Sequence, residues 1–193
     1  EPDGSGKFIA SVLRNDLIKE AIDKHLKKKN LILGICNGFQ ALVKSGLLPY
    51  GTINPIKEND PTLFKNSINR HVSKFVNTKI SSTSSPWLSS FKIDETHTIP
   101  MSHGEGKFDL PLSEENYNIV AKYGYKEYPS NPNGSDFNTA MLCDKTGRHL
   151  VTMPHIERST FQWNWAHYPD GRKDEASPWL EAFVNARKWI ENN

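Results

Sequence analysis

A single stretch of the sequence, residues 31–42, most constrains how this chain can fold. Residues 31–35 form an unbroken apolar run, Cys36 follows between Gly34 and Gly38, and apolar residues then recur at helical spacing. This order is typical of a nucleophile elbow, in which a buried strand turns sharply into a helix and presents a reactive side chain at the edge of a sheet. The sequence therefore predicts a strand, a tight turn at Cys36 and a helix.

Cys36 has two interpretations on this pattern alone. At the start of a helix, backbone N–H groups and the positive end of the helix dipole favour a thiolate and can hold a developing oxyanion. The alternative is a buried structural cysteine at the end of a strand. The second cysteine, Cys143, lies in an apolar run and is predicted to be a buried strand residue. Two cysteines make no disulfide framework and lack metal-ligand spacing, so we expect no bound metal and a reducing, cytoplasmic location.

The order of the predicted elements indicates an α/β fold. Helical spacing in residues 8–29 predicts one amphipathic helix before the strand at 31–35, and a helix at 38–45 follows that strand. Further strands are predicted at 71–81, 96–101, 119–125, 139–143 and 149–153, the last two joined as a hairpin, with a final helix at 178–190. Residues 1–6 and 55–69 are rich in turn formers or prolines and are predicted to be loops. We expect an open, largely parallel sheet flanked by helices.

Length and charge limit the class of protein. With 193 residues, 36% of them hydrophobic and 24% charged, the chain is long enough for one domain with a sizeable core. We therefore assign residues 1–193 to one domain. The formal net charge of +2 gives no indication of nucleic-acid binding, and no apolar run approaches the length of a transmembrane helix. Neither a nucleic acid nor a membrane is expected as a partner.

A cysteine nucleophile needs a base, and the base works best when a third group fixes its orientation. His155 is the strongest candidate of the seven histidines, because residues two apart on a strand face the same side and Glu157 would lie beside its imidazole. Its position at the end of a predicted strand supports this hypothesis, since α/β proteins gather their sites at the carboxyl edges of strands. The alternative is an ordinary polar strand end.

A second Gly-flanked turn, Ser102-His103-Gly104-Glu105-Gly106, follows the predicted strand at 96–101. Its exposed backbone N–H and C=O groups could grip the backbone of an amino acid. The alternative is a plain turn with a capping serine. Histidines outside these two motifs, His71 among them, have no comparable setting and are predicted to be surface or core residues.

Four motifs, spread from Gly34 to Arg158, together resemble one known family. They are GICNGFQ at 34–40, SHGEG at 102–106, NPNGS at 131–135 and PHIER at 154–158. In this order they resemble the class I glutamine amidotransferases, and among these the glutaminase domain of the phosphoribosylformylglycinamidine synthase family of purine biosynthesis. Matches at 4–7 with 14–15, at 69–73, and at 177–179 with 183–187 extend the resemblance to the flanks, and the last of these favours the large single-chain form.

The resemblance implies a set of residue roles. Cys36 would be the nucleophile that attacks the side-chain amide of glutamine, His155 the general acid and base, and Glu157 the residue that orients His155. Asn37 would donate its backbone N–H to the oxyanion. The residues implied to bind glutamine are Gln40, Ser102, Gly104 and Glu105.

The resemblance also implies a flavodoxin-like fold and a partner. Ammonia would pass to a synthetase domain of the same enzyme, where ATP and Mg²⁺ serve the conversion of formylglycinamide ribonucleotide, and this chain itself would carry no cofactor. The family's domain begins with a strand, a helix and a Gly-rich loop that nothing in residues 1–8 matches, so we expect a chain truncated at its N-terminus. Two alternatives remain open: a catalytically idle binding or structural domain of this fold, and another cysteine hydrolase such as a peptidase.

Overall fold

The structure is a computed structural model that describes residues 4–168 and 170–193. Its α-helices are α1 (Ser5–Leu13), α2 (Asp16–Lys27), α3 (Asn37–Lys44), the short α4 (Leu47–Tyr50) and α5 (Leu180–Asn192). Its strands are β1 (Ile32–Ile35), β2 (Thr62–Phe64), β3 (Val72–Ile80), β4 (Thr96–His103), β5 (Lys107–Asp109), β6 (Asn118–Tyr123), β7 (Thr139–Cys143) and β8 (His149–Thr152). None of the described helices is both long enough and apolar enough to cross a membrane.

Six strands form the main sheet in the order β1-β8-β7-β6-β3-β4. β1 and β8 pair in parallel, whereas the other pairings are antiparallel. The α/β class is therefore confirmed, but the expectation of a largely parallel sheet is wrong for the described residues. The reason is that the pattern of apolar residues indicates strands but not the direction in which they pair, and β3 pairs antiparallel with both β4 and β6.

The N-terminal part of the chain holds two helices instead of the single helix predicted for residues 8–29. α1 already begins at Ser5, within the predicted loop at 1–6, whose residues 1–3 lie outside the described residues. The break between the helices falls at Asn15, whose side chain accepts a hydrogen bond from the Leu17 N–H at 3.2 Å and so caps α2. Apolar residues recur at helical spacing on both sides of this break, so spacing alone does not reveal it.

Helices cover both faces of the main sheet. Side chains alternate along β7, so that Leu142 joins a buried cluster with Phe39 of α3, whereas Met141 and Cys143 join a separate cluster with Ala182 of α5. Successive residues of a strand point to opposite faces. The two clusters therefore lie on opposite sides of the sheet, one under α3 and one under α5.

A small second sheet formed by β2 and β5 positions the segments beside the site. The two strands pair antiparallel, with Leu63 opposite Phe108. The predicted loop at 55–69 therefore contains a strand that was not predicted. Because β2 precedes residues 65–71 and β5 follows residues 104–106, their pairing brings these two segments together.

Candidate active site

Cys36 lies on the turn between β1 and α3, where the elbow pattern predicts it. Its backbone φ of 52° and ψ of −104° form a combination that residues other than glycine rarely adopt. The Cys36 N–H donates to the Thr152 carbonyl oxygen at 2.8 Å, and the Cys36 carbonyl oxygen accepts from the Gln40 N–H at 3.1 Å. A Cβ atom at Gly34 would lie 2.9 Å from the Gly38 carbonyl oxygen, so only glycine allows α3 to pack this closely on β1. β8 and the first turn of α3 thus hold the strained turn in place.

The two cysteines have different environments. Cys36 borders a cavity, and its Sγ lies 3.6 Å from the carbonyl oxygen of Ser102. Cys143 is fully buried within β7, as predicted, and burial raises the pKa of its thiol to about 12. A thiol with so high a pKa is almost entirely protonated at neutral pH, which makes Cys143 a poor nucleophile.

His155 and Glu157 form the predicted contact, but not on a strand. β8 ends at Thr152, and His155 immediately precedes the 3₁₀ helix Ile156–Ser159, which contains Glu157. His155 Nδ1 lies 2.6 Å from Glu157 Oε1, and the His155 N–H donates to the Pro100 carbonyl oxygen at 2.8 Å. The expectation that both side chains project from one face of a strand is wrong, because the 3₁₀ turn brings the carboxylate back to the imidazole.

The charge of Glu157 determines which nitrogen of His155 is basic. Partial burial raises the pKa of the Glu157 carboxyl. Other effects outweigh burial and lower this pKa below its ordinary value: the hydrogen bond from His155, a backbone hydrogen bond, and the charges of His155 and Arg158. Glu157 is therefore an anion at neutral pH. A carboxylate at Nδ1 favours the tautomer that carries the proton on Nδ1, which leaves Nε2 as the basic nitrogen.

A cavity of about 450 Å³ opens at the carboxyl end of β1. A cavity of this size suits a small ligand. The predicted site residues that line it are Cys36, Gln40, Ser102, Gly104, Glu105 and His155. The other two lie outside the lining: Glu157 contacts His155, and Asn37 is the first residue of α3.

The loop at 102–106 is attached to the elbow by two contacts. Gln40 Nε2 donates to the carbonyl oxygen of Glu105 at 2.6 Å, and the Cys36 thiol approaches the carbonyl oxygen of Ser102. Gln40, predicted to contact the substrate, therefore borders the cavity while its amide group holds the loop. The geometry links the position of the nucleophile directly to the position of the predicted glutamine-binding loop.

Asn37 occupies the position that provides backbone donors beside the thiol. It is the first residue of α3, where a backbone N–H has no acceptor within the helix. In nucleophile elbows the residue after the nucleophile supplies an oxyanion donor from this position. The Asn37 side chain accepts a hydrogen bond from Ser5 Oγ at 2.9 Å, which ties the start of α3 to α1.

Residues that the sequence interpretation left without a role also line the cavity. They are Lys65, Asn69, Arg70, His71 and Arg158, in addition to the buried ring of His103. His71 is exposed, which is consistent with the interpretation as a surface or core residue, and its Nε2 also lies 2.9 Å from Ser102 Oγ in the loop. The sequence signal that could have indicated a role for this segment is the run of turn-forming residues at 66–69, because loops at a sheet edge often carry functional side chains.

The arrangement provides the groups for acyl transfer. A thiol on a strained turn and an imidazole oriented by a carboxylate line one cavity. The strained turn leads into a helix start, where backbone N–H groups can act as donors. Among residues 4–168 and 170–193, no group of three or more His, Cys, Asp or Glu side chains is placed to bind a metal ion.

Comparisons with known proteins show which sequences and structures this chain resembles. Residues 1–190 match the family described as the CobB/CobQ-like glutamine amidotransferase domain. The phosphoribosylformylglycinamidine synthase of Dictyostelium discoideum is 29% identical over 98% of this chain and 15% of its own length. The phosphoribosylformylglycinamidine synthase subunit PurQ of Gloeobacter violaceus is 35% identical over 78% of this chain and 64% of its own length. The solved structure of PurLQS from Thermotoga maritima aligns with a TM-score of 0.70 at 26% identity, over 94% of this chain and 71% of that chain. The chain thus spans less than two thirds of the length of the two curated relatives.

Proposed function

Because this chain belongs to the CobB/CobQ-like glutamine amidotransferase domain family, we propose that it hydrolyses L-glutamine to glutamate and ammonia. The observation that carries the proposal is the 2.6 Å contact between His155 Nδ1 and Glu157 Oε1 beside a cavity that Cys36 also lines. A thiol on an elbow and a histidine oriented by a carboxylate are the groups that hydrolysis of an amide through a thioester requires.

Cys36 acts as the nucleophile in the first half of the reaction. His155 accepts the thiol proton, and the sulfur bonds to the side-chain amide carbon of glutamine to form a tetrahedral intermediate. His155 then protonates the amide nitrogen, the C–N bond breaks, ammonia leaves and a glutamyl thioester remains on Cys36.

Water completes the reaction in the second half. His155 accepts a proton from water, the water oxygen attacks the thioester carbon, and the C–S bond breaks as His155 returns the proton to the sulfur of Cys36. Glutamate is the product. Glu157 stabilises the imidazolium that forms in each half and keeps Nε2 as the nitrogen that exchanges protons.

Asn37 stabilises the oxyanion of both tetrahedral intermediates. Its backbone N–H lies at the start of α3, where the helix dipole adds positive potential. The same position favours the thiolate form of Cys36.

Glutamine is a zwitterion, and the cavity lining carries charges of both signs. The Glu105 carboxylate suits the α-ammonium group, and Ser102 and Gly104 add hydrogen-bonding groups from the same loop. Arg70 and Arg158 supply positive charge for the α-carboxylate. Gln40 contributes through its bond to the Glu105 carbonyl oxygen, which supports the loop from the side of α3.

A synthetase partner is the proposed acceptor of the ammonia. The relatives' name, phosphoribosylformylglycinamidine synthase, supports formylglycinamide ribonucleotide as the substrate to which the ammonia is added in purine biosynthesis. We assign ATP and Mg²⁺ to that partner domain or subunit, whereas this chain uses no cofactor. Two cysteines are too few for a disulfide framework, which supports a reducing compartment such as the cytoplasm.

Turnover of glutamine in the presence of the synthetase partner tests the proposal. Cys36→Ser and His155→Ala should each lower kcat by at least about 10³-fold, whereas Cys143→Ala, which removes the thiol in β7, should retain activity. A diazo-ketone analogue of glutamine should label Cys36 and leave Cys143 unmodified. Undiminished turnover in either of the first two variants would contradict the proposal.

Two other outcomes point to the alternatives. A wild-type protein that neither hydrolyses glutamine nor reacts with the analogue, even with its partner present, would be an idle domain of this fold. A wild-type protein that cleaves peptides but not glutamine would be another cysteine hydrolase. Either result overturns the assignment of glutamine as substrate.

A further inference from the structure

Asn66, which lies between β2 and β3, makes four hydrogen bonds to the loop at 102–106. It is 2% exposed, and its backbone N–H donates to the Gly104 carbonyl oxygen at 2.9 Å. Its side-chain Nδ2 donates to the carbonyl oxygens of His103 at 2.9 Å and Arg70 at 3.0 Å. Its Oδ1 lies 3.1 Å from both the Gly106 backbone nitrogen and His103 Nδ1. Asn66 therefore fixes three positions of the loop at once.

This pattern also fixes the tautomer of His103. Both partners of Nδ2 are carbonyl oxygens, so Nδ2 must donate, and the partners of Oδ1 must be donors. His103 therefore carries its proton on Nδ1. Burial and then the charges of His71 and His155 lower the pKa of His103 to about 3, so the ring is neutral at physiological pH. Within the described part of the chain, His103 Nε2 is buried without a hydrogen-bond partner.

Two sets of contacts thus hold the loop, and only one of them comes from the elbow. Gln40 and Cys36 of the elbow contact the carbonyl oxygens of Glu105 and Ser102. The other set comes from Asn66, which is not among the residues that line the cavity. Asn66 therefore has no direct contact with a ligand in that cavity and acts through the loop.

We propose that Asn66 is a positioning residue that holds the loop at 102–106 and, through the Arg70 carbonyl oxygen, the backbone of Arg70 in the conformation that binds the α-amino and α-carboxylate groups of glutamine. This inference rests on the proposed function, because it concerns recognition of that substrate. Removal of the side chain leaves the carbonyl oxygens of His103 and Arg70 and the N–H of Gly106 without their buried partner, and the loop moves to find new partners. Cys36 and His155 keep their own backbone bonds to Thr152 and Pro100.

The rates at which two reagents modify Cys36 test this proposal. The diazo-ketone analogue carries the α-amino and α-carboxylate groups of glutamine, whereas iodoacetamide lacks both and reports only on the thiol. In the enzyme assembled with its synthetase partner, Asn66→Ala should lower the rate with the analogue by about 10- to 100-fold, since displacement of a positioning group by about 1 Å has effects of this size. The rate with iodoacetamide should change by a few-fold at most. KM for glutamine should rise by a larger factor than kcat falls.

Asn185→Ala is the matched control. Asn185 is 4% exposed on α5, and its Nδ2 donates to the Trp87 carbonyl oxygen at 3.2 Å and to Ser90 Oγ at 2.8 Å. The control variant also removes buried amide hydrogen bonds, but away from the cavity. It should lower thermal stability and leave both modification rates unchanged. ¹⁵N NMR of the His103 ring gives a second measurement, with the proton on Nδ1 in the wild type and a mixture of tautomers in Asn66→Ala.

The outcomes separate the two proposals. Equal rates with the analogue in wild type and Asn66→Ala would overturn the role of Asn66 and leave the proposed function intact. An equal loss with both reagents would mean that the substitution disturbs the elbow in general, which also overturns a specific role in recognition. A wild-type protein that reacts with iodoacetamide but not with the analogue would overturn the proposed function and, with it, this inference.

Discussion

Acid is expected to destabilise this protein through His103, because burial prevents that ring from accepting a proton in the folded state. In the unfolded chain the ring has its ordinary pKa of 6.5, and in the folded chain burial and then the charges of His71 and His155 lower that pKa to about 3. Above pH 6.5 the ring is neutral in both states, so the folded state has its full stability there. Below that value only the unfolded state takes up the proton, and the free energy of unfolding falls as the pH falls.

The size of this effect follows from the difference between the two pKa values. Each pH unit between the folded and unfolded pKa of one group changes the free energy of unfolding by about 1.4 kcal/mol. At about pH 5, roughly 1.5 units below the unfolded pKa, His103 should have removed about 2 kcal/mol of stability. That is a large share of the stability of a typical domain.

Urea unfolding of wild type and His103→Gln at about pH 7.5 and about pH 5 measures this contribution. Other groups with lowered pKa values, such as His149 and Glu157, titrate in both proteins and cancel from the difference. The gap in free energy of unfolding between wild type and variant should narrow by about 2 kcal/mol on acidification. Asn185→Ala, which changes no titratable group, should shift stability equally at both pH values. An acid-induced loss of equal size in wild type and His103→Gln would refute the reasoning, because the folded state would then protonate His103 as readily as the unfolded chain does.

Three substitutions, one of them with a matched control, test other parts of the structure. Gly34→Ala should destabilise the fold by about 1–3 kcal/mol, because the new Cβ would clash with the backbone of Gly38 in α3. In the control variant Gly38→Ala the new Cβ has no atom within 4 Å, so this variant should have little effect on stability. Equal denaturation midpoints for the two variants would contradict this prediction. Phe39→Ala should cost about 3–5 kcal/mol, since Phe39 is fully buried edge-to-face against Phe108, and urea denaturation measures the loss. Glu157→Gln should lower kcat by about 10²- to 10⁴-fold with a much smaller change in KM; an unchanged kcat in the steady-state assay would exclude a role in orienting His155.

The parts of the fold that the sequence predicts well are those set by short-range patterns. The strand, turn and helix around Cys36 lie within one residue of the bounds that apolar runs and glycines indicate, since neighbouring residues determine them. The hairpin of β7 and β8 is predicted for the same reason. The expectation of a largely parallel sheet was wrong. The directions in which β3, β4 and β6 pair depend on contacts between residues far apart in the chain, which local patterns do not indicate.

The candidate site shows the same division. The contact between His155 and Glu157 was predicted because the two residues are close in sequence, although a 3₁₀ turn and not a strand brings them together. The hydrogen bonds between Asn66 and the loop at 102–106 have no local signal, because His103 and Gly106 are about 40 residues away and meet Asn66 only when β2 pairs with β5. The role of a polar residue in a predicted loop can therefore be inferred only once the fold shows which residues it contacts.

Trapping of the covalent intermediate tests the central claim most directly. Wild-type protein assembled with its synthetase partner is mixed with isotopically labelled glutamine, quenched in acid during turnover and digested for mass spectrometry. A labelled glutamyl group in thioester linkage should appear on the peptide that contains Cys36, should be absent from the peptide that contains Cys143, and should not form in Cys36→Ser. Steady hydrolysis of glutamine without any label on Cys36, or with the label on another residue, would contradict the account.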